Sequence, residues 1–535
     1  VNRCAEAAMD RDRRHLLKAS LALALAASAP GFAATGIERS SARTRSGRIL
    51  GLRSGDLHVF RGIRYGADTS THRFQPPQRE APWRGARDAS AFGSSAPQGG
   101  NDGPGSEDCL FLNVTTPGLR DGKRRPILFY IHGGGFNNGS GSDPLYDGRQ
   151  LCTHGDVVVV TVNHRLNAFG YLYLGELDER FAESGNVGQL DLIAALQWVR
   201  EHAAEFGGDA GNVTVFGQSG GGAKIATLMA MPAARGLFHR AWTMSGQQVT
   251  AAGPRAAAQR AKLMMDALGA RDVDALLRIP AATLIEALRT RDPSRVEDTA
   301  LYFGPVLAGE ALPRHPFWPD APSQSASIPM VIGNTRDETR AFLGNDPGNF
   351  ALTWDTLPAK LRAQQFVDLD PNDVIAEYRR LYPQYTPSEV FFAATTAGRS
   401  WRGAVEELEV RARDGRGNTW AYQLDWYPRD VEGGEQCRAF HTLDIPLVFD
   451  TIAQPGSRTG ISNEARAVAT SMRDALLAFA RSGDPRTGAT TTWSPYSLPR
   501  RETMVFGATP AMQDDPRGGE RALYQRVPFV QRGTF

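Results

Sequence analysis

The chain has 535 residues, with 60 Lys and Arg against 58 Asp and Glu and a formal net charge of +2. That balance offers no electrostatic case for a nucleic-acid partner or an anionic membrane surface. A hydrophobic content of 41% with 9% aromatic residues is that of a globular chain able to bury a sizeable core.

The N-terminus reads as a targeting segment. Arg13-Arg14-His15-Leu16-Leu17-Lys18 sets paired arginines before an alanine- and leucine-rich run, Ala19 to Ala29, and resembles a twin-arginine export signal. Small residues at Ala27-Ser28-Ala29 and Ala33-Ala34 offer cleavage sites, and the apolar run is too short for a stable membrane span. The expectation is a signal over residues 1–34, one mature domain over 35–535, and a periplasmic or secreted location. Removing the signal takes Cys4 and leaves Cys109, Cys152 and Cys437, an odd number, so at least one is unpaired within the monomer. No Cys-x-x-Cys, His-Glu-x-x-His, Gly-x-Gly-x-x-Gly or phosphate-loop spacing occurs, so neither a metal nor a cofactor is expected.

Short alternating stretches between Gly47 and Phe60 predict an antiparallel meander at a sheet edge. Pro97 to Ser106, rich in Gly, Asn, Asp and Pro, is a loop. Cys109 to Val114, Pro126 to Ile131 and Val157 to Val162 are predicted strands, the last two almost continuously apolar, as in a sheet buried on both faces. Apolar residues at Leu192, Ala195, Leu196, Val199, Ala203 and Phe206 predict an amphipathic helix from Asp191 that Gly207-Gly208 ends. Further strands are expected at Ala241 to Met244, Pro329 to Ile332 and Thr419 to Asp425, and a long helix at Asn463 to Arg481. Alternating strands and helices argue for an α/β fold with a mostly parallel central sheet flanked by helices.

The chain is organised around Val213-Thr214-Val215-Phe216-Gly217-Gln218-Ser219-Gly220-Gly221, a strand that runs into a glycine-flanked serine and then a helix-compatible run to Met231. A serine at such a turn needs small residues two positions before and after, because a Cβ there would strike the neighbouring strand or helix. In parallel sheets ligands sit beyond the carboxyl ends of the strands. There the sequence offers His132-Gly133-Gly134-Gly135-Phe136, Ser219 and the pair Asp337-Glu338. A row of glycines can aim backbone N–H groups at one oxygen, and a serine needs a base with a pKa near neutrality. Among the ten histidines only His441 follows Glu338, and by elimination it is the expected base. His132 is read as orienting the glycine nest, His164 and His239 as structural.

Ser106-Glu107-Asp108-Cys109-Leu110-Phe111-Leu112-Asn113, the nest, Val157 to Leu166, Gly185 to Asp191, Phe206-Gly207-Gly208-Asp209, the Ser219 turn and Asp337-Glu338 stand in the order found in type-B carboxylesterases. The chain therefore resembles that family of para-nitrobenzyl esterases and cholinesterases, from about Gly47 to Trp493. The resemblance implies the α/β-hydrolase fold and a serine carboxylesterase with Ser219 as nucleophile, Glu338 as acid and His441 as base. It further implies oxyanion donors at Gly134, Gly135 and Gly220, with Asp337 the alternative acid. It also implies a structural ion pair between Arg73 and Glu107.

Departures from the family pattern are Gln218 for a glutamate, Gly220 for an alanine, Thr339 and Thr442 for glycines, and Ala96 for the cysteine that would partner Cys109. No tryptophan of the kind that binds quaternary ammonium lies between Ala96 and Cys109. With Phe136, Trp318 and Phe342 expected at an uncharged entrance, the sequence predicts a small-molecule substrate, a neutral short-to-medium acyl or aryl ester. Two other classes stay open: a non-catalytic cholinesterase-like binding protein, which would be expected to lack part of the triad, and a related acyl-transfer, amide or carbamate enzyme.

Overall fold

In the computed structural model, which describes residues 38–99, 105–295 and 299–531, thirteen strands form one sheet. They are β1 Arg39–Arg43, β2 Arg48–Ser54, β3 Leu57–Arg64, β4 Ala86–Asp88, β5 Phe111–Thr116, β6 Arg125–Ile131, β7 Val158–Val162, β8 Gly208–Gln218, β9 Arg240–Met244, β10 Met330–Thr335, β11 Thr419–Leu424, β12 Glu502–Phe506 and β13 Pro510–Asp514. The spatial order is β1-β2-β3-β5-β7-β6-β8-β9-β10-β11-β12-β13, with β4 beside β2. From β7 to β12 every pairing is parallel. The β1-β2-β3-β5-β7 margin and β13 are antiparallel. The expected signal segment lies outside the described residues, and among those described no helix is long and apolar enough to cross a membrane.

Continuous apolar runs belong in the middle of this sheet because both faces are covered. In β6, Ile127, Phe129 and Ile131 join one core beneath the helices α1 Val187–His202 and α2 Gly220–Ala230. Leu128 and Tyr130 join the other, beneath α3 Asn463–Ser482. The two-residue period of a strand makes that division unavoidable. Ser462 caps α3 through the Ala465 N–H at 3.2 Å, and Gly483 ends it in the left-handed region at φ 81°.

Where boundaries depart from the sequence reading, tertiary contacts explain it. Helix α1 starts one turn before Asp191, whose buried carboxylate accepts both Nε (2.8 Å) and Nη2 (2.6 Å) of Arg165 instead of marking the helix end. Strands β1, β4, β12 and β13 escaped the sequence analysis: β1 is polar, β4 is three exposed residues, and β13 is a largely solvent-facing edge with little alternation to betray it. Arg73 and Glu107 do pair (Nε to Oε2 2.8 Å), and Arg73 Nη1 donates to the Ile279 carbonyl at 2.7 Å, a structural clasp outside the cleft described below. Cys109 and Cys152 are free and fully buried. Burial raises both thiols well above their ordinary pKa, so neither is poised as a nucleophile.

Candidate active site

Ser219 stands at the apex between β8 and α2 with φ 57° and ψ −127°, a conformation a non-glycine residue adopts only under constraint. Its N–H donates to the Met244 carbonyl at 2.7 Å. The flanking glycines are needed for contact reasons. A Cβ on Gly217 would lie 2.7 Å from the Ile131 carbonyl oxygen, and one on Gly221 would lie 2.0 Å from the same atom. Gly220 is under the same constraint in this chain, since a Cβ there would come within 2.0 Å of the Gly135 oxygen. The nest and the nucleophile turn are thus in backbone contact, which the substitution of glycine for alanine permits.

The nest follows β6. Gly134 and Gly135 take φ 82° and 60°, and the Gly134 carbonyl accepts the N–H groups of Asn137 and Asn138, each at 3.1 Å. Among the described residues the Gly134 and Gly135 amides have no protein acceptor. His132 is wholly buried, its Nδ1 is 2.9 Å from the Gly133 oxygen, and its ring stacks on His164 at 4.9 Å. Burial, with the charge of Lys224 second, pushes His132 down to about 3, so it is a neutral structural element.

Glu338, three residues beyond the end of β10, is completely buried and hydrogen-bonded through Oε2 to His441 Nδ1. Its Oε1 accepts the Thr335 N–H at 2.9 Å and the Asn334 amide at 3.3 Å. Burial works to raise this carboxyl, but His441 and the hydrogen bonds outweigh it and hold Glu338 below its ordinary pKa. Behind it Asp444 accepts the Tyr422 hydroxyl at 2.9 Å; burial first, and the charge of Glu338 second, push Asp444 up to about 6. Asp337 faces elsewhere, with Oδ1 3.2 Å from Arg340 Nε. His441 Nε2 lies 3.2 Å from Gln218 Nε2. That contact was not foreseen, and it shows what the missing glutamate's place is used for.

Ser219, Gly135, Gly220, Glu338 and His441 line one open cleft of about 300 Å³, and Gly134 adjoins it. His441 is the histidine among the lining residues. Phe136 and Phe342 contribute apolar wall, Phe342 with its ring 4.9 Å from that of His441. Two expectations need correction. Trp318 is 56% exposed, packed on His315, and takes no part in the lining. The wall is also not uncharged, because Arg399 joins it, together with the neutral polar residues Ser245, Gln247, Gln248, Ser400 and Gln531. These come from three separate chain segments, and no local pattern announces them. In the structure Arg399 and Ser400 stand where the helix loosens into a π-turn at Ala397–Trp401, a feature that clusters at functional sites.

The wall is braced from below by Glu407, which accepts the Gln248 N–H at 2.8 Å. Burial pushes Glu407 up to about 8 from an ordinary 4.5. Between those values the native protein holds a proton that the unfolded chain has released, so this group destabilises the fold progressively as pH rises through the window. Glu407→Gln keeps an acceptor and cannot ionise; its Tm should therefore fall less than the wild type's between pH 5 and pH 8. Thermal melts at both values test this, and equal losses for the two proteins would refute it.

A buried acid and histidine opening on a serine at a strained strand-to-helix turn, on a largely parallel sheet, define a serine hydrolase of the α/β-hydrolase fold. The carboxylesterase family model matches residues 38–523, and the chain belongs to that family. It is 34% identical to the para-nitrobenzyl esterase of Bacillus subtilis over 492 residues, covering 89% of this chain and 97% of that one. The fumonisin B1 esterase of Sphingopyxis macrogoltabida is 32% identical over 87% of this chain and 86% of its own. A solved carboxylesterase of Geobacillus stearothermophilus superposes with a TM-score of 0.80 at 36% identity, covering 91% of this chain and all of that one. The chain is thus a type-B carboxylesterase, an enzyme that hydrolyses small-molecule esters as a serine hydrolase.

Proposed function

We propose that Ser219 attacks the ester carbonyl, that His441 takes and returns the proton, and that Glu338 orients and stabilises the imidazolium. The observation that carries this reading is the buried Glu338–His441 hydrogen bond opening on the cleft that Ser219 shares. The serine proton goes to His441 Nε2, which in this state faces the Gln218 amide at 3.2 Å and must be yielded as the serine turns in. Catalytic hydrogen bonds commonly tighten only with substrate in place. The tetrahedral oxyanion is received by the N–H groups of Gly134, Gly135 and Gly220, two of which project from left-handed glycines next to the nucleophile turn. The acyl-enzyme is then cleaved by water through the same base. Export by the twin-arginine route is part of this reading and rests on Arg13-Arg14 and the apolar run behind them.

For substrate we favour neutral short-to-medium acyl or aryl esters. Phe136, Phe342 and Ala223 supply apolar wall, and the amides of Gln247, Gln248 and Gln531 suit uncharged polar groups. The guanidinium of Arg399 in the same wall disfavours a quaternary ammonium head. The kcat/KM for para-nitrophenyl acetate and butyrate should exceed that for acetylthiocholine and for a long-chain para-nitrophenyl ester. A higher value for either of the latter two overturns the substrate assignment and leaves the triad untouched.

A further inference from the structure

Helix α2 carries one charged residue, Lys224, in a sequence otherwise of glycine, apolar residues and Thr227, and that residue is completely buried. Its Nζ donates to the His132 carbonyl at 3.1 Å and lies 5.7 Å from the centre of the Phe136 ring. Those two residues bracket Gly133-Gly134-Gly135, so the ammonium meets the chain on either side of the nest. Among the described residues no carboxylate acts on it; burial alone sets its proton affinity. An unpaired buried ammonium is costly, and a methionine would fill the same space without the cost. A structural role in packing therefore does not explain a lysine here.

The neighbouring charges are few. From the β6 end comes His132, and from the β7 end His164, both held neutral by burial and by Lys224 itself. Beyond His164, Arg165 is engaged by Asp191 of α1, while Gln189 of α1 reaches only the Lys224 backbone carbonyl at 3.4 Å. Lys224 is thus the single proton carrier of this cluster that titrates near neutrality.

We propose that Lys224 is a positioning residue for ester hydrolysis: its ammonium, tied to the His132 carbonyl behind the glycine nest, fixes the Gly134 and Gly135 amides and adds positive potential where the oxyanion forms. The inference rests on the reading that Ser219 attacks and that those amides receive the oxygen. No proton or bond is exchanged with substrate. The lysine acts through the loop and through its field, which in a buried setting is weakly screened. Burial pushes this ammonium down to about 7, so the contribution is present below that value and lost as pH rises through it.

The test compares the full-length wild type, Lys224→Met and Lys224→Arg on para-nitrophenyl butyrate between pH 6 and 9.5, with thermal melts alongside. The wild type should lose kcat on the alkaline side with an apparent pKa well below that of a free lysine. Lys224→Met should show kcat reduced roughly 10- to 100-fold at pH 6.5, KM within about threefold, and no such alkaline limb. Lys224→Arg, whose charge does not titrate in the range, should keep more activity than Lys224→Met and also lack the limb. A folded Lys224→Met with wild-type kcat, or one retaining the alkaline limb, overturns the proposal. Should Lys224→Met not fold, the decision passes to Lys224→Arg and the wild type: an alkaline limb that persists in Lys224→Arg, or is missing from the wild type, overturns it equally. Failure here is separable from failure of the triad, since an active Ser219→Ala would sink the latter whatever Lys224 does.

Discussion

Ser219→Ala should lower kcat by about a millionfold, the loss typical when the nucleophile of a serine hydrolase is removed, and leave the melting temperature within a few degrees of wild type. The small effect on stability follows from the site. Ser219 is fixed by its backbone, through the N–H bond to Met244 and the glycines on either side, and its hydroxyl makes no hydrogen bond with a described residue. The residue that costs conformational energy is thus held by contacts that alanine preserves. Steady-state turnover of para-nitrophenyl butyrate, together with a melting curve, decides the matter: a folded Ser219→Ala that keeps even a hundredth of the wild-type kcat removes Ser219 from the mechanism.

The second large effect separates two adjacent carboxylates. Glu338→Gln should reduce kcat about ten-thousandfold, because an amide beside His441 Nδ1 no longer stabilises the imidazolium and can hold the ring in the wrong tautomer. Asp337→Asn should stay within about threefold of wild type. Its carboxylate pairs with Arg340, whose Nη1 is also held by the Gln436 carbonyl at 2.7 Å, so the loss is that of a partly exposed ion pair. A crippled Asp337→Asn beside an active Glu338→Gln would reverse the assignment. Burial raises the Glu338 carboxyl, but His441, the Ser245 hydroxyl and the Thr335 N–H hold it below its ordinary pKa, so the acid remains ionised across the neutral range, and lowering pH to about 5 should not by itself neutralise it.

Much of this protein is legible from its residues in order. The buried runs at Pro126 to Ile131 and Val157 to Val162 could only be central strands, because apolar residues at every position need cover on both faces. The turn at Gly217 to Gly221 was readable because its constraint is local: backbone at φ 57° and Cβ collisions with Ile131 depend on neighbours that the strand-turn-helix pattern already implies. The histidine could be reached by order and elimination. What sequence could not separate was Asp337 from Glu338, which follow the same strand and differ only in which side of the turn each side chain leaves. That choice is made by Arg340 on one side and by Thr335, Asn334 and His441 on the other.

The cleft wall was decided by tertiary structure alone. Arg399 and Gln531 are more than a hundred residues apart and reach the cleft from unrelated segments, while Trp318, which looked suitable for an entrance, packs outward against His315. Lys224 marks the same boundary. In sequence it is a lone lysine in a helix-compatible run, as consistent with a solvent-facing position as with a buried one, and only the packing of α2 against the nest puts its ammonium under the His132 carbonyl. Backbone geometry and hydrophobic period are properties of short stretches, so the chain declares them locally. The direction of a side chain, the charge it meets and the water it loses depend on elements brought together only when the sheet closes and its helices settle on it.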